Sequence, residues 1–345
     1  MNKAIHIPQG SHILLTMAAF VVVVAGVREA RELLVPFLLS AFIAIIAAPP
    51  LFYLKRKNIP TGIALALVIG LVIVAAVMLG VLVGNSIDNF SAQLPFYQER
   101  LNTITAGLLS WLAETGIDIP KQTAANLLDP AKAMKMAAVG LSSLGGLLTN
   151  TFLILLTVIF ILLEAASFPA KLEAILQNPD SGLGRFQAFL DNINSYMAIK
   201  TATSALTGIL VGLWLWAVGL DYPVLWGMLA FLLNFVPSIG SILASVPALL
   251  LAMVQLGITG TLWSLLGYVL INVIIGNIIE PRFMGRGLGL STLVVFISLV
   301  FWGWILGPVG MFLSVPLTMM IKISLDSSNE TRWIAILLGP EVEHQ

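Results

Sequence analysis

The stretch VLWGMLAFLLNFVPSIGSILASVPALLLAMVQL at residues 224–256 carries no charge and is broken near its middle by Pro237-Ser238-Ile239-Gly240. It is too long for one upright membrane crossing, and its two arms, 224–236 and 241–256, would each reach only about 20–24 Å as helices. The hydrocarbon core of a bilayer is about 30 Å thick. The stretch therefore predicts a re-entrant helical hairpin with its tip inside the membrane.

The whole chain has the composition of a membrane protein. Of its 345 residues, 59% are hydrophobic and 10% are charged, whereas about 25% of the residues of a soluble domain are charged. The 17 basic and 17 acidic residues leave no net positive charge, which argues against a nucleic-acid-binding protein. The high hydrophobic content also excludes a disordered chain.

No pattern of catalytic or cofactor-binding residues is present in the sequence. There is no cysteine for thiol chemistry, and the three histidines, His6, His12 and His344, lie at the termini. The glycines at 285–289 follow no strand and form no dinucleotide fingerprint, and there is no P-loop. We therefore predict no enzyme activity, no cofactor and no metal site.

Other charge-free runs predict about six full membrane spans. A run of about 20 predominantly apolar residues is typical of a membrane-spanning helix. The runs assigned to spans lie at 13–27, 33–54, 58–87, 136–163, 201–219 and 260–279. The predicted fold class is therefore all-α, a polytopic integral membrane protein.

A second broken segment repeats the design of the first. Residues 290–321 are apolar and break at Gly307-Pro308-Val309-Gly310, and both second arms carry Ser-Val-Pro, at 245–247 and 314–316. Each hairpin follows one full span, and in the orientation predicted below the first enters from outside and the second from inside, so the two units form an inverted repeat. Interrupted segments in corresponding positions of two halves are the best sequence indication of a transporter's binding site. Two long, kinked spans without a site are the alternative.

Polar residues near the two breaks are the candidate site. A helix that begins inside the membrane has unpaired N–H groups, which need protein, water or solute as partners. The candidate substrate-binding residues are Asn234, Pro237, Ser238, Gly240, Asn277, Gly307, Pro308 and Gly310. Other polar residues in the spans are Asn272, Thr201, Thr203 and Ser204. Hydrogen bonding between helices is the alternative role for Asn, Ser and Thr.

Glu280 is the candidate coupling residue for a proton or a sodium ion, since carboxylates near spans often serve this role. The alternative is that Glu280 lies at the membrane surface and pairs with Arg282 or Arg286.

The basic residues predict an orientation. Lys55, Arg56 and Lys57 form the densest cluster, and such clusters mark the cytoplasmic side. Both termini are then cytoplasmic, as is Lys200, and residues 85–138 lie outside. The external segment has apolar residues at helical spacing, which predicts an amphipathic cap on the membrane or on neighbouring subunits. A ligand-binding ectodomain is the alternative.

These boundaries divide the chain into five predicted parts. They are N-terminal transmembrane helices at 1–84, an external amphipathic helical segment at 85–138, a fourth span with a cytoplasmic linker at 139–200, a transport core at 201–325 and a cytoplasmic tail at 326–345.

Three stretches closely resemble the autoinducer-2 exporter family of bacterial membrane proteins. They are VPFLLSAFIAIIAAPP (35–50), NFVPSIGSILASVP (234–247) and GNIIEPRFMGRGLGLSTLVVFISLVFWGWILGPVGMFLSVPL (276–317). The resemblance covers essentially the whole chain. It implies an exporter of the small, polar quorum-sensing signal autoinducer-2 in the lipid bilayer of the bacterial inner membrane.

The resemblance also implies a homo-oligomer, a pentamer, in which each protomer has its own pathway. Other members resemble Na⁺(Li⁺)/H⁺ antiporters, so an antiporter is an alternative function, and a non-transporting membrane scaffold is a further one. The inverted repeat predicts an elevator-like or rocking movement in which Gly240 and Gly310 permit close backbone approach.

Overall fold

The computed structural model describes residues 9–115, 132, 134–136, 138–139, 151–175, 183–237, 239–284, 290–326 and 330–339, and these ranges contain helices and no strand. In chain order the helices are α1 (Gln9–Glu29), α2 (Arg31–Arg56), α3 (Thr61–Glu114), α4 (Thr151–Ile175), α5 (Leu183–Val218), α6 (Pro223–Leu233), α7 (Gly240–Asn272), α8 (Glu280–Met284), α9 (Thr292–Leu306), α10 (Pro308–Asp326) and α11 (Arg332–Leu337). A π-helix, Val273–Ile279, joins α7 to α8.

Several of these helices are long and apolar enough to cross a membrane. The described residues contain five, at Arg31–Arg56, Thr61–Trp111, Asn194–Val218, Gly240–Phe283 and Pro308–Asp326. Shorter apolar helical stretches lie at Thr151–Ala165, Pro223–Leu233 and Thr292–Leu306. The protein is therefore an all-helical, polytopic membrane protein. The finer count of six full spans and two re-entrant hairpins stays a prediction.

Small residues let α2 pack closely against α3 and α4. Ala44 and Ala47 of α2 are buried in a cluster with apolar residues of both neighbours. The fully buried Ser40 hydroxyl lies 2.7 Å from the Pro36 carbonyl oxygen and 3.2 Å from the Ile154 carbonyl oxygen of α4. This hydroxyl ties α2 to α4, and it leaves no polar side-chain atom without a partner in that interface.

Helix α3 is much longer than a membrane span. Its 54 residues reach about 81 Å at 1.5 Å per residue. It runs unbroken through residues 84 and 85, so no helix boundary marks the division predicted there. The predicted apolar stripe is buried against the protein itself: the Phe90 ring meets the Trp226 ring of α6 edge-on at 5.5 Å, and Tyr97 and Leu101 belong to the same cluster. The C-terminal half of α3 therefore packs on α6.

The first predicted break is present between α6 and α7. Helix α6 ends at Leu233 and α7 begins at Gly240. With 11 residues, α6 spans about 16 Å, well short of a hydrocarbon core of about 30 Å. Helix α7 then bends at Gly257, whose φ of 67° lies in the left-handed region that favours glycine. The backbone at Gly257 is not helical, so the second arm and the following segment are two helices joined at this residue.

The second break is narrower than the sequence suggested. Helix α9 ends at Leu306 and α10 begins at Pro308, so Gly307 alone separates them, with a φ of 69°. Proline suits the first position of α10 because the N–H that it lacks would have no helical partner there. Helix α9 packs along α10. Both segments are therefore helical hairpins, and the depth of their tips in the membrane stays a prediction.

Glycines bring the backbones of α5 and α6 into direct contact. A Cβ on Gly227 of α6 would lie 2.6 Å from the Gly208 carbonyl oxygen, and a Cβ on Gly208 would lie 2.6 Å from the Gly227 carbonyl oxygen. Gly212 follows Gly208 by four residues on the same face of α5 and also meets Gly227. Small residues at this spacing are typical of close helix packing in membranes. The first hairpin is therefore held tightly on α5.

We expect Gly227→Ala to lower the free energy of unfolding by about 1–3 kcal/mol, because the added methyl group meets a backbone oxygen that has little room to move. Thermal unfolding in mild detergent measures this. Gly80→Ala on α3 is the control, since a Cβ there meets no atom within 4 Å. Alanine is the better helix former, so the control is expected to be neutral or slightly stabilising. Equal melting temperatures for the two variants would contradict the close contact.

Candidate functional site

One face of α5 carries buried polar side chains. Lys200, Ser204 and Thr207 are spaced four and three residues apart, so they lie on the same side of the helix. Their relative exposures are 6%, 0% and 2%. The Thr207 hydroxyl donates to the Thr203 carbonyl oxygen at 2.9 Å. Because this part of α5 belongs to a membrane-crossing stretch, these groups are concentrated where polar atoms need partners within the protein.

The first break contacts this face through Asn234. The Asn234 Nδ2 donates to the Ser204 Oγ at 2.9 Å. Asn234 directly follows the last residue of α6, so the bond links the end of the first arm to α5. Asn234 is thus engaged between helices, and its amide oxygen accepts no hydrogen bond from the described residues.

Local backbone contacts shape the turn of the first hairpin. The Gly240 N–H donates to the Val236 carbonyl oxygen at 3.2 Å, and the Val236 N–H donates to the Leu233 carbonyl oxygen at 2.8 Å. A Cβ on Gly240 would overlap the Leu233 carbonyl group. No side chain caps the start of α7. Part of the polarity predicted for the tip is therefore satisfied locally. Ser238 lies outside the described residues.

A buried ion pair lies one turn before Ser204 on α5. The Lys200 Nζ donates to the Glu280 Oε1 at 2.6 Å, and the two side chains are 7% and 16% exposed. The expectation that Glu280 pairs with Arg282 or Arg286 is therefore wrong as regards Arg282, and Arg286 lies outside the described residues. Lys200, placed by the sequence analysis among the cytoplasmic basic residues, is buried. The partners are far apart in sequence, and the fold alone brings them together.

The backbone before Glu280 departs from the α-helix. Val273–Ile279 forms a π-helix, a rare conformation that is frequent at functional sites. It contains Asn277, whose side chain is exposed. Asn272, just before the π-helix, donates through Nδ2 to the Tyr268 carbonyl oxygen of its own helix at 2.8 Å. Neither Asn272 nor Asn277 takes part in the hydrogen bond between Asn234 and Ser204.

The second break packs elsewhere. The first hairpin lies on α5 and α3, whereas α9 and α10 pack on each other, on α1 and on α2. A Cβ on Gly310 would overlap the Trp302 carbonyl group, so this tip is as tight as the first. Phe42 of α2 meets the Phe235 ring of the first tip at 5.3 Å and also packs on the cluster of Val315 and Met319. The structure thus brings Asn234, Ser204, Lys200 and Glu280 to one face of α5, while Gly307, Pro308 and Gly310 belong to a separate hairpin.

Sequence comparison gives the family. The model of the AI-2E family transporter matches residues 14–330. The chain belongs to the AI-2E transporter family. It is 40% identical over 339 residues to the AI-2 transport protein TqsA of Escherichia coli strain K12, covering 98% of each chain.

Two further relatives of this AI-2E transporter are putative transport proteins. One, from Haemophilus influenzae, is 38% identical and covers 94% of this chain and 95% of its own. The other, YhhT of Escherichia coli strain K12, is 34% identical and covers 96% and 95%. These similarities extend over nearly the whole length, so they include both hairpins and α5.

The contact of Lys200 with Glu280 was not predicted from the sequence of this AI-2E transporter. The available signal was the spacing of Lys200, Ser204 and Thr207, which places polar groups on one face of an apolar helix. A further polar atom, the Thr201 Oγ1, is buried without a partner among the described residues. In the same part of the chain, no group of three or more His, Asp or Glu residues is arranged to hold a metal ion.

Proposed function

We propose that this AI-2E family transporter exports autoinducer-2 from the cytoplasm, using the region between the first hairpin break, α5 and α8. The observation that carries the proposal is the Asn234–Ser204 hydrogen bond beside the buried Lys200–Glu280 pair. Polar groups gathered at a broken helix inside an apolar protein are typical of a transport site. The substrate is taken from the name of the E. coli relative, an AI-2 transport protein.

The chemistry of the region suits a small, hydroxyl-rich solute. The amide of Asn234 and the hydroxyls of Ser204 and Thr201 offer both donors and acceptors. Among the described residues, the carboxylate of the region is that of Glu280, and Lys200 already compensates it, so no net charge is left there to attract a bare cation. Solute hydroxyls would exchange hydrogen bonds with the neutral groups and leave the ion pair in place.

The proposed mechanism is an elevator-like or rocking movement. The glycine contact of Gly208 with Gly227 supports α5 and the first hairpin as one moving unit. We further propose a homo-oligomer, a pentamer, in the inner membrane, with both termini cytoplasmic and residues 85–138 outside. The second hairpin, with Gly307, Pro308 and Gly310, would seal the pathway from the other side.

We expect Asn234→Leu to reduce autoinducer-2 efflux from loaded vesicles at least tenfold, because leucine removes the hydrogen bonds to Ser204 and to solute. Asn272→Leu is the matched control, since Asn272 bonds only to its own helix. That control should retain most of the efflux. Unchanged efflux in Asn234→Leu, with protein levels equal, would remove Asn234 from the site.

A sodium–proton or lithium–proton antiporter is the second candidate, favoured by a partly buried carboxylate directly after a π-helix. In this function Glu280 would bind the coupling ion after release from Lys200. Vesicles with a sodium gradient and an internal pH dye compare the two functions directly. Proton flux driven by sodium, without autoinducer-2 movement, would replace the export proposal. A non-transporting scaffold has less support, because the relatives are named as transport proteins.

A further inference from the structure

A cavity lies away from the candidate site, between α1, the first turn of α2 and α9. Its volume is about 730 Å³, within the range of about 300–1,000 Å³ that is usual for small-molecule sites. One end of the cavity is apolar, formed by Phe20, Val21 and Val24 of α1 and Phe301 of α9. The Phe20 and Phe301 rings stack with their centroids 6.4 Å apart.

The other end of the cavity is charged. Arg28 and Glu29 close α1, and Arg31 and Glu32 open α2. The Arg28 Cζ lies 4.5 Å from the centre of the Trp304 ring. A guanidinium stacked on a ring keeps N–H donors in its plane for an anion. The structure records no ion pair for any of these four charged residues with another described residue.

The polarity along the cavity matches that of a bilayer surface. From Phe20 to Arg28 the axis of α1 advances about 12 Å, over which the lining changes from aromatic and aliphatic to charged. Charges and tryptophan at the end of an apolar helix mark the membrane boundary. An occupant with an acyl chain beside Phe20 and a polar headgroup beside Arg28 would follow the same change.

The charges that line the cavity indicate which lipid headgroup it would bind. Two guanidinium groups and two carboxylates give a lining with no net charge, so an anionic lipid would gain from Arg28 and Arg31 and lose against Glu29 and Glu32. A zwitterion satisfies both pairs. We propose that this cavity binds a zwitterionic membrane phospholipid with a primary ammonium group. Its phosphate is held by Arg28 and Arg31, and its ammonium by Glu29 and Glu32.

Native mass spectrometry of the full-length, delipidated protein tests this proposal. Phosphatidylethanolamine, phosphatidylcholine and phosphatidylglycerol with identical acyl chains are titrated separately. The ethanolamine lipid is expected to bind about tenfold more tightly than either of the others, since choline has no N–H donor and glycerol no positive charge. Equal affinity for the three lipids would overturn the proposal.

Two double variants test the binding of the phosphate and of the ammonium group separately. Arg28→Gln with Arg31→Gln should weaken ethanolamine-lipid binding about tenfold, whereas Glu29→Gln with Glu32→Gln should remove the preference over choline. Lys55→Gln with Arg56→Gln, at the other end of α2, is the control and should bind as the unsubstituted protein does. Unchanged lipid binding in the arginine variant contradicts the site.

A second measurement tests the proposal even if the double variants fail to fold, because it uses the unsubstituted protein. Tryptophan emission of the unsubstituted protein should be quenched more by brominated ethanolamine lipid than by brominated choline lipid, and Trp304→Phe should abolish the difference. Equal quenching overturns the proposal. The proposal is also overturned if the arginine variant no longer forms oligomers but keeps its lipid preference. That result would assign the cavity to contact between copies of the chain.

Discussion

Replacing Glu280 with glutamine alone is expected to lower the free energy of unfolding by about 3–5 kcal/mol, because it leaves the Lys200 ammonium buried without a counter-charge. The present pair has a 2.6 Å contact and side chains that are 7% and 16% exposed. Neither charge therefore has much access to water. Denaturant or SDS titration in mild detergent, followed by circular dichroism, measures the change.

Two controls show whether pairing is the cause. Removing both charges together, with Lys200→Met and Glu280→Leu, should restore most of the lost stability, because no uncompensated charge remains. The exposed pair of Arg332 and Asp326, 3.6 Å apart, provides a surface comparison: Asp326→Asn should change stability by about 0–1 kcal/mol. A double variant as unstable as Glu280→Gln would show that packing, and not charge, is lost.

The same double variant, Lys200→Met with Glu280→Leu, also shows whether Glu280 has a structural role only or a role in transport. If Glu280 acts only as the partner of Lys200, the stable double variant should still export autoinducer-2. If Glu280 carries a coupling ion, the double variant should fold and yet lose all gradient-driven transport. The stability and flux of one protein thus distinguish the export proposal from the antiporter.

Adding a single methyl group at either hairpin tip is expected to be severe. In Gly240→Ala and Gly310→Ala the new Cβ overlaps the carbonyl groups of Leu233 and Trp302, respectively. Both clashes are with the backbone of the facing arm, so the hairpin must open, and we expect a loss of about 3 kcal/mol in each case. Thermal unfolding and efflux are measured on the same preparations.

Gly70→Ala on α3 is the control for these tips, because a Cβ there meets no atom within 4 Å. It should leave both stability and efflux unchanged or slightly raise stability. The outcome that contradicts the tight turns is a Gly240→Ala protein that melts with the control.

The break of the first hairpin was predictable because its cause is local. Pro237 has no N–H for a helical hydrogen bond, Gly240 permits a sharp return, and the arms are too short for two full spans. The all-α fold followed equally directly from the charge-free runs. These inferences needed only neighbouring residues, and the sequence contained all of them.

The continuity of α3 was not predicted, because the local pattern of charge says little about where a helix ends. The charge-free run was taken to end at residue 87, just before Asp88, yet a charged side chain limits contact with lipid and does not end a helix. The hydrogen bonds of a helix form within its own backbone, so they continue past charged side chains. Even Pro95 lies inside the long helix.

The Lys200–Glu280 pair needed the tertiary structure. Arg282 and Arg286 were the partners named in the alternative interpretation of Glu280, but residues two apart on a helix, such as Glu280 and Arg282, point to different sides. Lys200, 80 residues away, meets Glu280 because α5 packs against the π-helix and α8. No local pattern specifies such a crossing.

Lys200 and Ser204 lie one turn apart on α5 and hold two different parts of the chain, α8 and the end of α6. Both hydrogen bonds therefore depend on the orientation of the same helix, α5. A rotation of α5 about its own axis would break them together, while a fluctuation of either partner would break only one. A rotation of α5 would thus release both parts together, and under the proposed function a solute that turned α5 at Asn234 would also free Glu280, with no contact between the solute and Glu280.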